Sequence, residues 1–189
     1  MTRFLDRGAI VAAYVGIGMA VTVAISFLLV IPIEPIYWLL AAPSGLLIGY
    51  YANQRSDRRA GPWSRIVANA AYAGLLTGLT MAVLLLGVKA LFFFADNGYR
   101  GTDLGGSLTC SGGAECVYQR YREDSGAELA AAGIGDASSF TGFYWGQQLS
   151  SAGTVLVLTL AGGLGGGILY GAFRPKAGPT RNSSPPVPG

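Results

Sequence analysis

IYWLLAAPSGLLIGYY, residues Ile36 to Tyr51, is the stretch that decides the fold. Its 16 residues carry no charge, yet as a helix they reach only about 24 Å against the roughly 30 Å of a hydrocarbon core. Pro43-Ser44-Gly45 also interrupts the middle. Tyr37 and Trp38 at one end, with Tyr50 and Tyr51 at the other, fit interfacial anchors on both sides and favour a crossing over a re-entrant loop. Before the stretch, Pro32, Glu34 and Pro35 make a tight turn, since proline lacks an amide donor and disfavours helix in the residue before it. After it, Asn53 to Arg65 sets Arg55, Arg58, Arg59 and Arg65 against one acid, Asp57. Such a loop is cytoplasmic by the positive-inside rule, so the reading of Ile36 to Tyr51 fixes the topology on either side.

Three longer apolar runs surround it. Residues 8–31 follow a polar start with Arg3 and Arg7 and contain no charge over 24 residues, about 36 Å of helix. That is too long for the apolar region of a cleaved signal peptide, and no A-x-A site follows before Pro32. Residues 66–94 form the third run and 149–173 the fourth. Residues 174–189, rich in Pro, Gly and Ser, have nothing to bury and are expected to be disordered.

Residues 1–7, 53–65 and 174–189 carry nine basic residues and two acids. The two intervening polar segments, with Lys89, carry four basic residues and eight acids. This asymmetry puts both termini in the cytoplasm and requires four crossings. The expected fold is therefore an all-α integral membrane protein: helices over 8–31, 36–51 and 66–94 within residues 1–94, an extracytoplasmic cap over 95–148, and a fourth helix over 149–173.

Composition agrees. Of 189 residues, 51% are hydrophobic and 12% charged, far below the roughly 25% charged content of ordinary soluble domains. A net charge of +3, with arginines in short clusters, makes no nucleic-acid face. Histidine is absent, which removes the commonest general base, neutral metal ligand and haem ligand, so neither enzyme activity, metal nor cofactor is expected. Abundant arginine, glycine, alanine and proline suit a GC-rich bacterial genome, and the expected location is a bacterial plasma membrane.

Helices in lipid associate through close contact that small residues four apart permit. Such rows run through Ala12, Gly16, Ala20 and Ala24; Ala41, Gly45 and Gly49; Ala70, Gly74, Gly78 and Ala82; and Gly163, Gly167 and Gly171. They read as seams of one bundle. A second row, Gly162 and Gly166, offers the fourth helix a spare face for another subunit or a second copy.

In the cap, Cys110 and Cys116 enclose Ser-Gly-Gly-Ala-Glu and read as a structural disulfide, for which chain entropy gives about 2.4 kcal/mol. The alternatives are thiol exchange and metal binding. Quinone-linked membrane disulfide oxidases are also four-helix bundles, but they use a C-x-x-C pair and further cysteines that are missing here. Val117 to Glu123 and Ala127 to Ala132 each suit a helical turn or two, with Tyr118 and Tyr121 on one face. Phe140, Phe143, Tyr144 and Trp145 are expected at the outer headgroup level, pressing the cap on the membrane.

Lys89 is the one charge well inside an apolar run, with Glu34 or Asp96 as partners, and it competes between a polar membrane site and snorkelling to water. Pro43 would mark the broken helix of a transporter, and the arginine cluster Arg55, Arg58, Arg59 and Arg65 suits anionic lipid headgroups. The outline is shared with tetraspanins and other four-span families, whose signature motifs do not stand in this sequence. The expected function is a non-enzymatic accessory, scaffold or assembly subunit that binds another membrane or extracytoplasmic protein. A small transporter or channel subunit using Lys89, Glu34 and Pro43 is the alternative, and it requires a polar cavity from Lys89 toward the second helix. A thiol-disulfide oxidoreductase ranks third.

Overall fold

The structure, a computed structural model, describes residues 6–30, 34–56, 61–95 and 112–173. Among these residues it contains five α-helices and no strand. The expected tail, residues 174–189, lies outside the described residues.

Helix α1 (Arg7–Ala24) opens where Asp6, in an extended conformation, accepts the Arg7 N–H at 2.8 Å, and it runs on into a π-helical stretch, Ile25–Val30. Helix α2 (Glu34–Gln54) is longer than the apolar run and continuous through Pro43. Its 21 residues reach about 32 Å. Two causes correct the expectation of a short, interrupted segment. Pro35 falls in the first turn, where the missing N–H has no partner to lose. Pro43 removes only the bond to the Leu39 carbonyl, while Gly45 and Gly49 hold the next turns against a neighbouring helix.

Helix α3 (Trp63–Phe94) starts three residues before the expected boundary, because the Pro62 carbonyl accepts from Arg65 N–H at 3.0 Å and Ile66 N–H at 3.3 Å. Helix α4 (Ala114–Ala131) joins the two expected cap turns into one helix, kinked at Ser125 (φ −137°, ψ 32°). It stops in a glycine-terminated cap: Gly133 has φ 72°, its N–H bonds to Ala130, and Ile134 N–H reaches back to Leu129 at 2.9 Å. Helix α5 (Ala137–Phe173) begins twelve residues before the expected Leu149. Asp136 explains the early start, since its carboxylate accepts from the backbone of both Ser138 and Ser139 at 2.8 Å. At about 55 Å, α5 is longer than a bilayer core, so its first turns stand above the bundle.

Close approaches between elements fix the packing. Gly16 faces Thr77 and Gly8 faces Ala52, so α1 runs parallel to α3 and antiparallel to α2. Gly45 meets Thr159 and Gly49 meets Gly163, so α2 and α5 are parallel. Gly74 meets Gly163, Gly78 meets Thr159 and Gly167 meets Ala70, an antiparallel α3–α5 register in which paired residue numbers sum to 237. Four helices thus form one bundle, with α5 wedged between α2 and α3.

The interior of this bundle is small-residue and apolar: Ala20, Ala24, Ala41, Ala82 and Ala152 surround Leu28, Tyr37, Met81, Leu85 and Val155. Large apolar side chains point outward instead, among them Tyr14 at 72% exposure and Leu39 at 73%, with Leu47, Val83, Val157 and Ile168. That inverted distribution suits lipid as the surrounding solvent. Three helical segments, Arg7–Leu29, Trp63–Phe94 and Ala137–Phe173, are long and apolar enough to cross a membrane. The expected fourth span, α2, is long enough but less apolar than these three, because Tyr37, Trp38, Pro43, Ser44, Tyr50 and Tyr51 dilute its hydropathy.

Candidate functional site

The α2–α5 seam is built backbone on backbone. A Cβ added at Gly49 would lie 2.7 Å from the Gly163 carbonyl carbon, and one at Gly45 would lie 2.8 Å from that of Thr159. From the other side, one at Gly162 would lie 3.0 Å from the Ala42 carbonyl carbon and one at Gly166 would lie 2.7 Å from Tyr50 N. Gly163 and Gly167 face α3 through Gly74 and Ala70, Gly78 contacts Thr159 and Leu156, and Gly171 receives the Trp63 ring. Both glycine rows of α5 are therefore consumed inside the chain. The spare face expected at Gly162 and Gly166 is not there.

A different face of α5 is open. A Cβ at Gly142, Gly146 or Gly153 would meet nothing within 4 Å, and Ser150, Val157 and Ala161 on the same side are exposed. These positions recur every three or four residues and lie along one exposed face of α5, from the cap level into the apolar span.

Above the bundle, Phe93, Val117, Tyr118, Leu129, Phe140 and Tyr144 form a second core. Phe140 is fully buried, with ring centroids at 5.5 Å from Tyr118, 5.2 Å from Tyr121 and 5.9 Å from Tyr144. Phe93 and Phe94 reach Trp145 at 5.5 and 6.0 Å. These rings fill the space between α4 and α5, with the expected pair Tyr118 and Tyr121 side by side against Phe140. Gly113 N–H donates to the Phe93 carbonyl at 2.9 Å and fastens the start of α4 to the end of α3. Outside the apolar spans, the Asp136 carboxyl is held below its ordinary value, first by the Ser139 backbone N–H, which outweighs an opposing desolvation, and then by the Ser138 backbone N–H and the Ser139 side chain.

Cys116 is buried at the base of α4 and is not a free thiol. Its expected partner, Cys110, lies outside the described residues. No group of three or more potential metal ligands occurs among the described residues.

The polar membrane candidates are only partly brought together. Lys89 is half-buried on α3, Glu34 begins α2, and Asp96 lies outside the described residues. The 237 register sets Gln148 of α5 at the height of Lys89. Gln148 is 4% exposed, and its side-chain oxygen has no hydrogen-bond partner among the described residues. Sequence reading missed it because one glutamine in a polar-to-apolar transition carries no periodic signal. Between Lys89 and the body of α2 the packing is apolar, through Leu85, Met81 and Tyr37, whose hydroxyl donates to the Met81 carbonyl at 2.7 Å.

The opposite end of the bundle holds a polar lock that the sequence reading also missed. Asn53 donates through Nδ2 to the carbonyls of Gly49 at 3.0 Å and Ile66 at 3.1 Å, tying α2 to α3. Ser56 donates its hydroxyl to Asp6, and the Asp6 N–H donates to Asn69 Oδ1, tying α1 to both. Of the arginine cluster, Arg58 and Arg59 lie outside the described residues. Arg55 lies over the Tyr51 ring and donates to its hydroxyl, while Arg65 lines a cleft with Asn53, Ser56, Gly61, Ile66, Asn69 and Tyr170.

These features define an all-helical protein with membrane-spanning capacity, a small-residue bundle and an aromatic cap. No protein-family model, curated protein or solved structure matches the chain.

Proposed function

We propose that this chain is a non-enzymatic, multi-pass protein of the bacterial plasma membrane that serves as an accessory or assembly subunit. The open face of α5, Gly142, Gly146, Ser150, Gly153, Val157 and Ala161, takes a transmembrane helix of a partner protein. That face is the observation that carries the reading. Every other small-residue row is used within the chain, and glycines lying open to lipid gain nothing in helix stability for their own bundle.

In this reading α2 crosses as well, giving four spans with both termini cytoplasmic. Its parallel packing on α5 and its outward Leu39, Leu46 and Leu47 support a crossing despite its diluted hydropathy. The cap is extracytoplasmic, and a Cys110–Cys116 disulfide closes its base, consistent with the buried state of Cys116. The apolar packing beneath Lys89 counts against a transport path along α2.

A photo-crosslinking side chain placed at Gly153 tests the reading, with Gly87 on α3, which is equally open, as the control. A discrete, membrane-protein adduct from position 153 and none from position 87 supports a docking face. Equal labelling from both positions, or lipid adducts alone, overturns it.

A further inference from the structure

We propose that Lys89 and Gln148 are the donor and the acceptor of a binding site for one hydroxyl group, carried by a phospholipid headgroup at the cap end of the bundle. The inference rests on the bundle lying in a bilayer, as in the reading above, and is independent of any partner at the open face of α5.

The two residues occupy one polar layer between two apolar cores. Lys89 stands four residues after Leu85 and four before Phe93, which are 0% and 2% exposed, so it continues the buried row of α3. Gln148 stands between buried Tyr144 and buried Ala152 and continues the inner row of α5 in the same way. The 237 register pairs these rows: Leu85 with Ala152 in the bundle core, and Phe93 with Tyr144 at the cap, where the ring centroids lie 5.0 Å apart. Lys89 and Gln148 meet between them.

Gln148 is 4% exposed, and its Oε1 accepts no hydrogen bond from any described residue. Asn53, Thr77 and Thr159, equally buried in the bundle, bond backbone carbonyls instead. A buried acceptor in the state of Oε1 calls for a donor. Lys89 supplies the complementary half, because an ammonium has three N–H donors and the contact it already makes leaves others to share. A hydroxyl donates to Oε1 and accepts from Nζ at the same time, and it needs no countercharge.

Depth selects a headgroup as the carrier. Trp63, half exposed at the start of α3, fits the cytoplasmic interface. A hydrocarbon core of about 30 Å takes about 20 residues of helix, so a core that begins at Ile66 ends near Leu86. Lys89 and Gln148 then lie in the far headgroup layer, just beyond the hydrocarbon. Lys89 is only half-buried, which leaves the layer an open edge, and the exposed Leu91 and Leu149 offer acyl chains a surface on either helix.

The test uses the full chain in mild detergent, with native mass spectrometry after exchange into phosphatidylglycerol or into phosphatidylmethanol of the same acyl chains. Both lipids carry one phosphate charge, and only the first has headgroup hydroxyls. Wild type should retain phosphatidylglycerol about tenfold better. Gln148→Met, close in volume but without the acceptor, should retain the two lipids equally, and Lys89→Met, without the donor, should do the same. Delipidated Gln148→Met should unfold at the wild-type temperature or above, because no bond to Oε1 within the chain is lost. A lower unfolding temperature for that variant, or a preference that survives in it, overturns the site. Equal retention of both lipids by wild type assigns the layer to water alone and overturns the lipid source. A chain recovered outside the membrane fraction of cells would overturn the bilayer placement itself, a failure distinct from equal retention.

Discussion

Gly49→Ala is the sharpest perturbation of the bundle. The added methyl would lie 2.7 Å from the Gly163 carbonyl carbon and 2.8 Å from its Cα. Carbon atoms in contact prefer about 3.5–4.0 Å, so α2 and α5 must part by roughly 1 Å. A gap of ~0.5–1 Å forfeits a quarter to a half of each dispersion contact along the seam, and the contacts at Gly45, Gly162 and Gly166 open with it. Overpacking of this kind costs about 1–3 kcal/mol. The better helix propensity of alanine returns about 0.5–1 kcal/mol, leaving a net loss of about 1–2 kcal/mol. In a thermal unfolding assay in detergent this corresponds to a fall of the order of 5 °C. Gly153→Ala is the matched control, because its methyl meets open space, and it should be neutral or slightly stabilising. The reasoning is refuted if Gly49→Ala unfolds with the wild type, or if Gly153→Ala is as damaging as Gly49→Ala.

Three further outcomes are expected. Phe140→Ala should cost about 3–5 kcal/mol locally, freeing α4 in hydrogen exchange while the α3–α5 seam stays protected. Because its folded value is lowered, Asp136 stabilises the start of α5 above the ordinary carboxylate range, and that stabilisation is lost as pH falls through the folded value. Near-UV circular dichroism of the Trp145 cluster between neutral pH and pH ~2 should show the loss, and Asp136→Asn, which still caps but does not titrate, should flatten it. Asn53→Ala removes the bond to Ile66 that joins α2 to α3, with the bond back to Gly49 within α2, and should lower stability by about 1–3 kcal/mol in the same thermal assay.

Much of the bundle was legible because lipid-facing helices leave a simple signal. The charge-free run after Arg7 and the run up to Phe94 ended close to where α1 and α3 end. The rows through Gly16, Gly45, Gly49, Gly74, Gly78, Gly163, Gly167 and Gly171 became interhelical contacts, since spacing by four places residues on one face. Continuity through Pro43 was not legible, because the packing that overrides the local penalty comes from α5, more than a hundred residues away in sequence. The start of α5 was missed because hydropathy falls off near Leu149, whereas the backbone follows the Asp136 cap. Asn53, Asn69 and Gln148 were invisible for the same kind of reason: a polar residue at the edge of an apolar run reads as the end of that run until its partners are known. The spare face of α5 was expected on the wrong side, since glycine spacing identifies a groove but does not say which helix fills it.

The most direct test of the account is the native mass of the full chain extracted from its own membrane in mild detergent, taken for wild type and for Gly153→Leu. The wild-type chain should leave the membrane with a stoichiometric membrane-protein partner. Gly153→Leu should lose that partner while keeping the unfolding temperature of the wild type. A wild-type chain that emerges alone, or a partner that stays bound to Gly153→Leu, contradicts a docking role for the open face of α5.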